Sequence, residues 1–218
     1  MESIETTRQE ESPNPANRLL IGAIVVLSAL VLVLTVLIAR EVFFKSDTPK
    51  TALERDLLRY QAKVKSNPAD WQNHVNLGLV YYQMDDSENA IKEFKKALKI
   101  KPKSANAHYY LGLTYVGEDR TEKAIEELST TVELDPRHDL AYSKLGEIYS
   151  KQKKYTRAIQ EFKKSLEINP VAADVHYELG TMYEKTNQKD LAIKEYKEAL
   201  KYIPEYSEAK EALKRLTN

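Results

Sequence analysis

A 34-residue step governs this chain. Gly78, Gly112, Gly146 and Gly180 follow it, and so do Pro68, Pro102, Pro136, Pro170 and Pro204. Tyr81, Tyr115, Tyr149 and Tyr183 keep the same register, as do the pairs Ala90-Ile91, Ala124-Ile125, Ala158-Ile159 and Ala192-Ile193. Self-similarity at a fixed period of this size implies a solenoid, in which each unit is one supersecondary element packed on its neighbours.

Residues 71–104 show what one unit demands. Val75, Leu77 and Tyr81, then Ala90, Ile91, Phe94, Ala97 and Leu98, recur at three- and four-residue spacings, the period of an amphipathic helix. The polar run from Gln83 to Ser87 separates the two apolar series and reads as a turn. Pro102 stops the second helix, because proline lacks an amide donor and clashes with the preceding turn. Gly78 falls inside the first helix, where it costs roughly 1 kcal/mol against alanine. Four such glycines in register imply close approach of the paired helix, with the small Ala90 expected opposite.

With positions counted from Trp71, the unit has Leu at 7, Gly at 8, Tyr at 11, Ala at 20, an aromatic near 24 and Pro at 32. This pattern resembles the tetratricopeptide repeat. The resemblance implies an all-α, right-handed solenoid of four repeats, at 71–104, 105–138, 139–172 and 173–206. Position 4, where the family favours Trp, holds His74, His108, Tyr142 and His176; position 24 holds Phe94, Leu128, Phe162 and Tyr196. Before the repeats, Thr51 and Glu54 form a capping-box pattern that opens a helix over 51–67, read as a half-repeat covering the first full one. After them, residues 207–218 place Ala209, Ala212, Leu213 and Leu216 on one face and charges elsewhere, as an end-capping helix requires.

Basic and acidic residues number 33 each, and without residues 1–39 the balance is still 31 to 29. No basic face for a nucleic-acid backbone emerges. The chain has no cysteine, hence no thiolate ligand or cysteine nucleophile. Gly-rich phosphate loops and nucleophile elbows are missing, and carboxylates alternate with lysines as on solvated helix faces, for example Glu93-Lys95-Lys96. We therefore expect a protein that is not an enzyme and needs no cofactor or metal. The histidines at 34-residue spacing cannot share one ion, because helices pack at about 8–10 Å and zinc ligands must lie within about 2.1 Å of it. They read as packing residues, and His138 reads as a solvated loop residue. Most of the 14 tyrosines fall at packing positions.

The first 17 residues are polar and acidic and read as a disordered tail. Leu19 to Ala39 carries no charge for 21 residues, long enough at 1.5 Å per residue to span a bilayer. An acidic start and the lack of a small-x-small cleavage site argue for an uncleaved single-pass transmembrane helix at 18–40 rather than a signal peptide. Arg40, Lys45, Lys50, Arg55 and Arg59 after the span, against Arg8 and Arg18 before it, lean toward a cytoplasmic repeat domain. Phe43 and Phe44 suit the interface, and the short linker at 41–50 is expected to hold the repeats near the bilayer.

The resemblance implies a concave protein-binding groove lined by positions 2, 5, 9, 12 and 13. The first repeat supplies Val75, Leu79 and Tyr82; the second Tyr109, Leu113 and Val116; the third Ser143 and Glu147; the fourth Tyr177 and Thr181. Gln72, Gln83, Asn106, Gly117, Leu140, Ser150, Lys151, Asp174, Glu184 and Lys185 complete those positions. Lysine and asparagine, which some family members use to clamp a chaperone's acidic tail, are replaced by Val75 and Leu79. The expected partner is instead a protein or peptide with apolar anchors and a basic end toward Glu147 and Asp174. The function so read is a membrane-anchored scaffold or adaptor. The alternative is a self-associating structural module. A narrower alternative rests on similarity to the membrane-anchored repeat subunits of bacterial cytochrome c maturation, which hold the apoprotein; the anchor, the leucine-bearing helix, Asn67-Pro68-Ala69-Asp70-Trp71 and the repeats carry it.

Overall fold

The structure, a computed structural model, describes residues 27, 28, 30–35 and 51–217. The expected tail at 1–17 and linker at 41–50 lie outside the described residues, as does most of the expected span at 18–40. Of that span, residues 27, 28 and 30–35 are helical and exposed. No helix among the described residues is long and apolar enough to cross a membrane.

Ten helices follow from residue 52 onward. They are α1 (Ala52–Ser66), α2 (Trp71–Gln83), α3 (Ser87–Ile100), α4 (Ala105–Gly117), α5 (Thr121–Leu134), α6 (Asp139–Lys151), α7 (Tyr155–Ile168), α8 (Ala173–Lys185), α9 (Lys189–Tyr202) and α10 (Ser207–Thr217). Each packs chiefly on the helix before it and the helix after it, and the first helices of successive units also touch, α2 with α4 and α6 with α8. This is the all-helical solenoid that the period implies, with no strand among the described residues.

Local chemistry sets the ends of the helices. Thr51 Oγ1 accepts from the Glu54 amide at 3.1 Å while the Glu54 carboxylate accepts from the Thr51 amide at 3.2 Å, so the capping box forms. Asp70, Asp86 and Ser104 cap α2, α3 and α4 through their side-chain oxygens. The first helix of every unit ends in a Schellman turn. Its outer bond runs from the amides of Asp86, Arg120, Lys154 and Gln188 to the carbonyls of Tyr81, Tyr115, Tyr149 and Tyr183, at 2.8–2.9 Å. The turn forces one residue to positive φ: Asp85 (56°), Asp119 (54°), Lys153 (58°) and Asn187 (58°). Aspartate and asparagine tolerate this conformation; lysine suits it less well.

The core explains the glycine column, and corrects its expected neighbour. A Cβ on Gly78 would lie 2.7 Å from Phe94 Cε1, and one on Gly112 2.9 Å from Leu128 Cγ. On Gly146 it would meet Phe162 at 2.6 Å, and on Gly180 Tyr196 at 2.7 Å. The bulky residue at position 24, not the alanine at position 20, occupies the space that glycine leaves. Phe94, Leu128, Phe162 and Tyr196 are accordingly at most 1% exposed. The buried residues form two clusters, Val75 to Ile148 and Ala158 to Ala212, and Tyr149 packs against both.

Gly117 sets the control, because a Cβ there meets nothing within 4 Å. Gly146→Ala should destabilise the fold by about 1–3 kcal/mol through overpacking, despite its better helix propensity. Gly117→Ala should stabilise it by roughly 0.5–1 kcal/mol. Urea unfolding of the two variants checks the opposite signs; equal midpoints would refute the packing account.

Candidate functional site

The first helices of the units carry the expected groove positions, and their residues fall into three environments. Val75 is buried in the first core cluster. Tyr109 is also buried; its ring lies 5.2 Å from that of Tyr110 and 4.4 Å from that of His138. Leu79, Leu113 and Val116 are half-buried against the same cluster, and Val116 also lines a 240 Å³ cavity with Ile148 and Gln152. Ser143 is half-buried. The exposed apolar members are Tyr82 (37%) and Leu140 (56%). The apolar half of the surface is thus shallower than the sequence suggests, because its larger side chains turn partly into the core.

Tyr109 connects three units. Burial pushes its hydroxyl pKa up to about 12, helped by the neighbouring Tyr110, Tyr82, Glu147 and Asp139. Tyr82 of the first unit and Glu147 of the third therefore both lie within electrostatic reach of Tyr109 of the second. Glu147 also accepts from Lys144 Nζ at 2.7 and 2.9 Å.

The fourth unit contributes a ring cluster. Tyr177 packs on Tyr196 (5.7 Å) and on Tyr206 (5.1 Å), the latter lying beyond the last repeat. Thr181 Oγ1 donates to the Tyr177 carbonyl at 3.1 Å and lies 3.3 Å from the Tyr196 hydroxyl. The Tyr196 hydroxyl donates to Glu184, which also accepts from Arg215 at 2.7 and 3.0 Å. Burial raises the Glu184 pKa, but the bonds from Tyr196 and Arg215 outweigh it and hold the carboxyl below its usual range. α10 is in this way tied across to α8. Glu178 experiences the reverse: burial, then the charges of Glu147 and Asp174, raise its pKa. The second half of the surface thus gathers Glu147, Asp174 and Glu178 near the tyrosines, with Lys144 bonded to Glu147 and Arg215 to Glu184.

Sequence reasoning missed Tyr206, Glu178 and Arg215, which fall outside the family's groove positions. It also misplaced His138. That side chain caps α6, its Nδ1 accepting from the Ala141 amide at 3.2 Å, and is half-buried rather than solvated. Among the described residues, no group of three or more His, Cys, Asp or Glu could hold a metal ion.

Residues 78–119 and 147–187 match a model described as TPR repeat, and residues 173–206 match the tetratricopeptide repeat. The units are tetratricopeptide repeats. No curated protein sequence matches the chain. Among solved structures it is similar to MamA, with 25% identity over 72% of this chain and 96% of that one and a TM-score of 0.65. YrrB, a TPR protein with an unusual peptide-binding site, is 24% identical over 74% and 84%, with a TM-score of 0.63. PilF of Pseudomonas aeruginosa is 24% identical over 67% of each chain, with a TM-score of 0.60.

Tyr196→Phe tests the hydrogen bond that joins α9 to α8 at Glu184. Phe94 and Phe162 already fill the equivalent place in two other repeats, so the ring should fit. Loss of the hydroxyl bond to Glu184 should cost about 1–2 kcal/mol in urea unfolding.

Proposed function

We propose that this protein is a non-catalytic scaffold that holds a partner polypeptide on the surface formed by the first helices of its repeats. The observation that carries the proposal is the continuity of that surface: Tyr82, Tyr109 and Glu147 come together from three successive repeats, followed by Glu178, Asp174, Tyr177 and Tyr206. An apolar and aromatic half succeeded by an acidic half suits a segment with apolar anchors and a basic end. The peptide-binding site of YrrB lends support by showing that a repeat protein of this fold can receive a peptide.

In the same proposal, residues 18–40 anchor the chain in a membrane. The support is the uncharged stretch from Leu19 to Ala39. The basic residues that follow it lean toward a repeat domain on the cytoplasmic side.

Leu113 is half-buried at the middle of the surface, and its replacement tests the binding reading. Crosslinking in cells to a photoreactive side chain at Tyr82 should trap a partner, and Leu113→Glu should abolish the adduct while the helical signal is retained. Unchanged crosslinking would overturn the proposal. Topology is checked with Asn218→Cys, the only thiol in the chain, and an impermeant maleimide. Labelling only after lysis is expected; labelling of intact cells would place the repeats outside the cytoplasm.

A further inference from the structure

Three histidines share a geometry that neither the packing of the repeats nor the proposed binding surface requires. His74, His108 and His176 stand at position 4 of repeats one, two and four. Each Nδ1 lies 2.6–2.7 Å from a carboxylate oxygen of the second helix of its own repeat: Glu93, Glu127 and Glu195 respectively. Each Nε2 lies 2.9–3.1 Å from the carbonyl of the proline six residues earlier, Pro68, Pro102 or Pro170, in the turn that precedes the repeat. All six side chains are at most 19% exposed.

The proton count follows from donor chemistry. A proline carbonyl can only accept, so each Nε2 must carry hydrogen. A neutral ring would then present a bare Nδ1 lone pair to a carboxylate at 2.6 Å, acceptor against acceptor. The contact is satisfied only when a further proton lies between Nδ1 and the carboxylate. The His108–Glu127 and His176–Glu195 pairs thus each hold one proton that a neutral histidine and a free carboxylate would not.

We propose that His108 and His176 are proton-dependent clasps, each tying both helices of its repeat to the preceding turn when the His–Glu pair is protonated and loosening when it is not. The third repeat is built differently. Tyr142 occupies the histidine place, and Glu161 pairs instead with Lys164, whose Nζ lies 5.2 Å from the centre of the Tyr142 ring. The junctions before repeats two and four therefore respond to pH, while the third repeat lacks the histidine.

The surrounding charges agree in direction. For His108 the bond to Glu127 raises the pKa, outweighing burial, with the Pro102 carbonyl adding to it. For His176 burial lowers the pKa, but the Glu195 bond, the Pro170 carbonyl and the charges of Glu195 and Glu198 carry it above the ordinary value. Glu198 is itself paired with Lys201, and the Tyr202 ring stacks on His176 at 5.8 Å. At His74 the facing charges are Glu93 and Lys96, which bond each other at 2.7 Å. Histidines raised in the folded state bind protons more tightly there than in the unfolded chain. Their stabilisation is complete below the unfolded value of about 6.5, and is lost as pH rises through the folded values.

The decisive comparison is the full-length chain in mild detergent against Glu127→Gln with Glu195→Gln. A glutamine amide can donate to the bare Nδ1 of a neutral ring, so both hydrogen bonds survive without the extra proton. The melting temperature of the parent should fall by a few degrees between about pH 6 and about pH 9, and the double variant should lose most of that slope. Imidazole 15N shifts of the parent provide the second measurement, needed if the variant fails to fold. At about pH 7, where an unperturbed ring is mostly neutral, both nitrogens of His108 and His176 should show protonated signatures. Equal slopes in parent and folded variant, or neutral rings at that pH, would overturn the proposal.

Discussion

Close contact between a glycine on the first helix and a bulky residue on the second is the constraint on which the solenoid depends. Where a Cβ would come within 2.6 Å of Phe162, only hydrogen fits, and the two helices approach to the depth of the ring. That depth buries the alanines at positions 20 and 27 of the first repeat completely and draws the neighbouring unit onto the same layer. Phe94 then stacks on Tyr110 of the next unit at 6.1 Å, so the contact within one repeat positions the contact between repeats. The second repeat keeps the arrangement with Leu128 in place of a ring, which shows that filled volume rather than aromaticity is the requirement.

Much of this was legible because a period exposes whatever it repeats. The helix pairs, the stop at each proline, and the capping box at Thr51 and Glu54 follow from spacing and backbone chemistry alone. The partner of the glycine was not legible, since Ala90 and Phe94 lie one turn apart on the same helix face and periodicity cannot say which one stands opposite. The turn residues at positive φ were hidden because Lys153 breaks an otherwise Asp/Asn column. The histidine clasps left a trace that went unread: Glu93, Glu127, Glu161 and Glu195 also keep the 34-residue step. A column of acids that matches a column of histidines is a pairing signal when the separation, 19 residues, carries the chain from one helix to its antiparallel neighbour.

The binding surface was less legible than the fold. Position within a unit identifies a face, but burial on that face depends on side-chain direction, and Tyr109 illustrates the difference. At position 5 it belongs to the groove, yet its ring turns toward Tyr110 and His138 and is largely covered. Glu178 shows the converse. It lies outside the groove positions, yet Glu147 and Asp174 act on it. The surface is therefore set as much by how the last repeat meets α10, through Tyr206 and Arg215, as by the repeated positions themselves.

α1 differs from every other helix of the solenoid in having no buried residue, and its Leu58 remains 52% exposed. In a one-dimensional stack each element is secured by its neighbours, and among the described residues α1 packs chiefly on α2. Its backbone amides are consequently the first to exchange with solvent, while those beneath Phe94 and Phe162 wait for opening of the core. The stack thus has a built-in order of unzipping. Its fraying begins at the end nearest the sequence's uncharged stretch, and the central layers keep their shape while that end comes and goes.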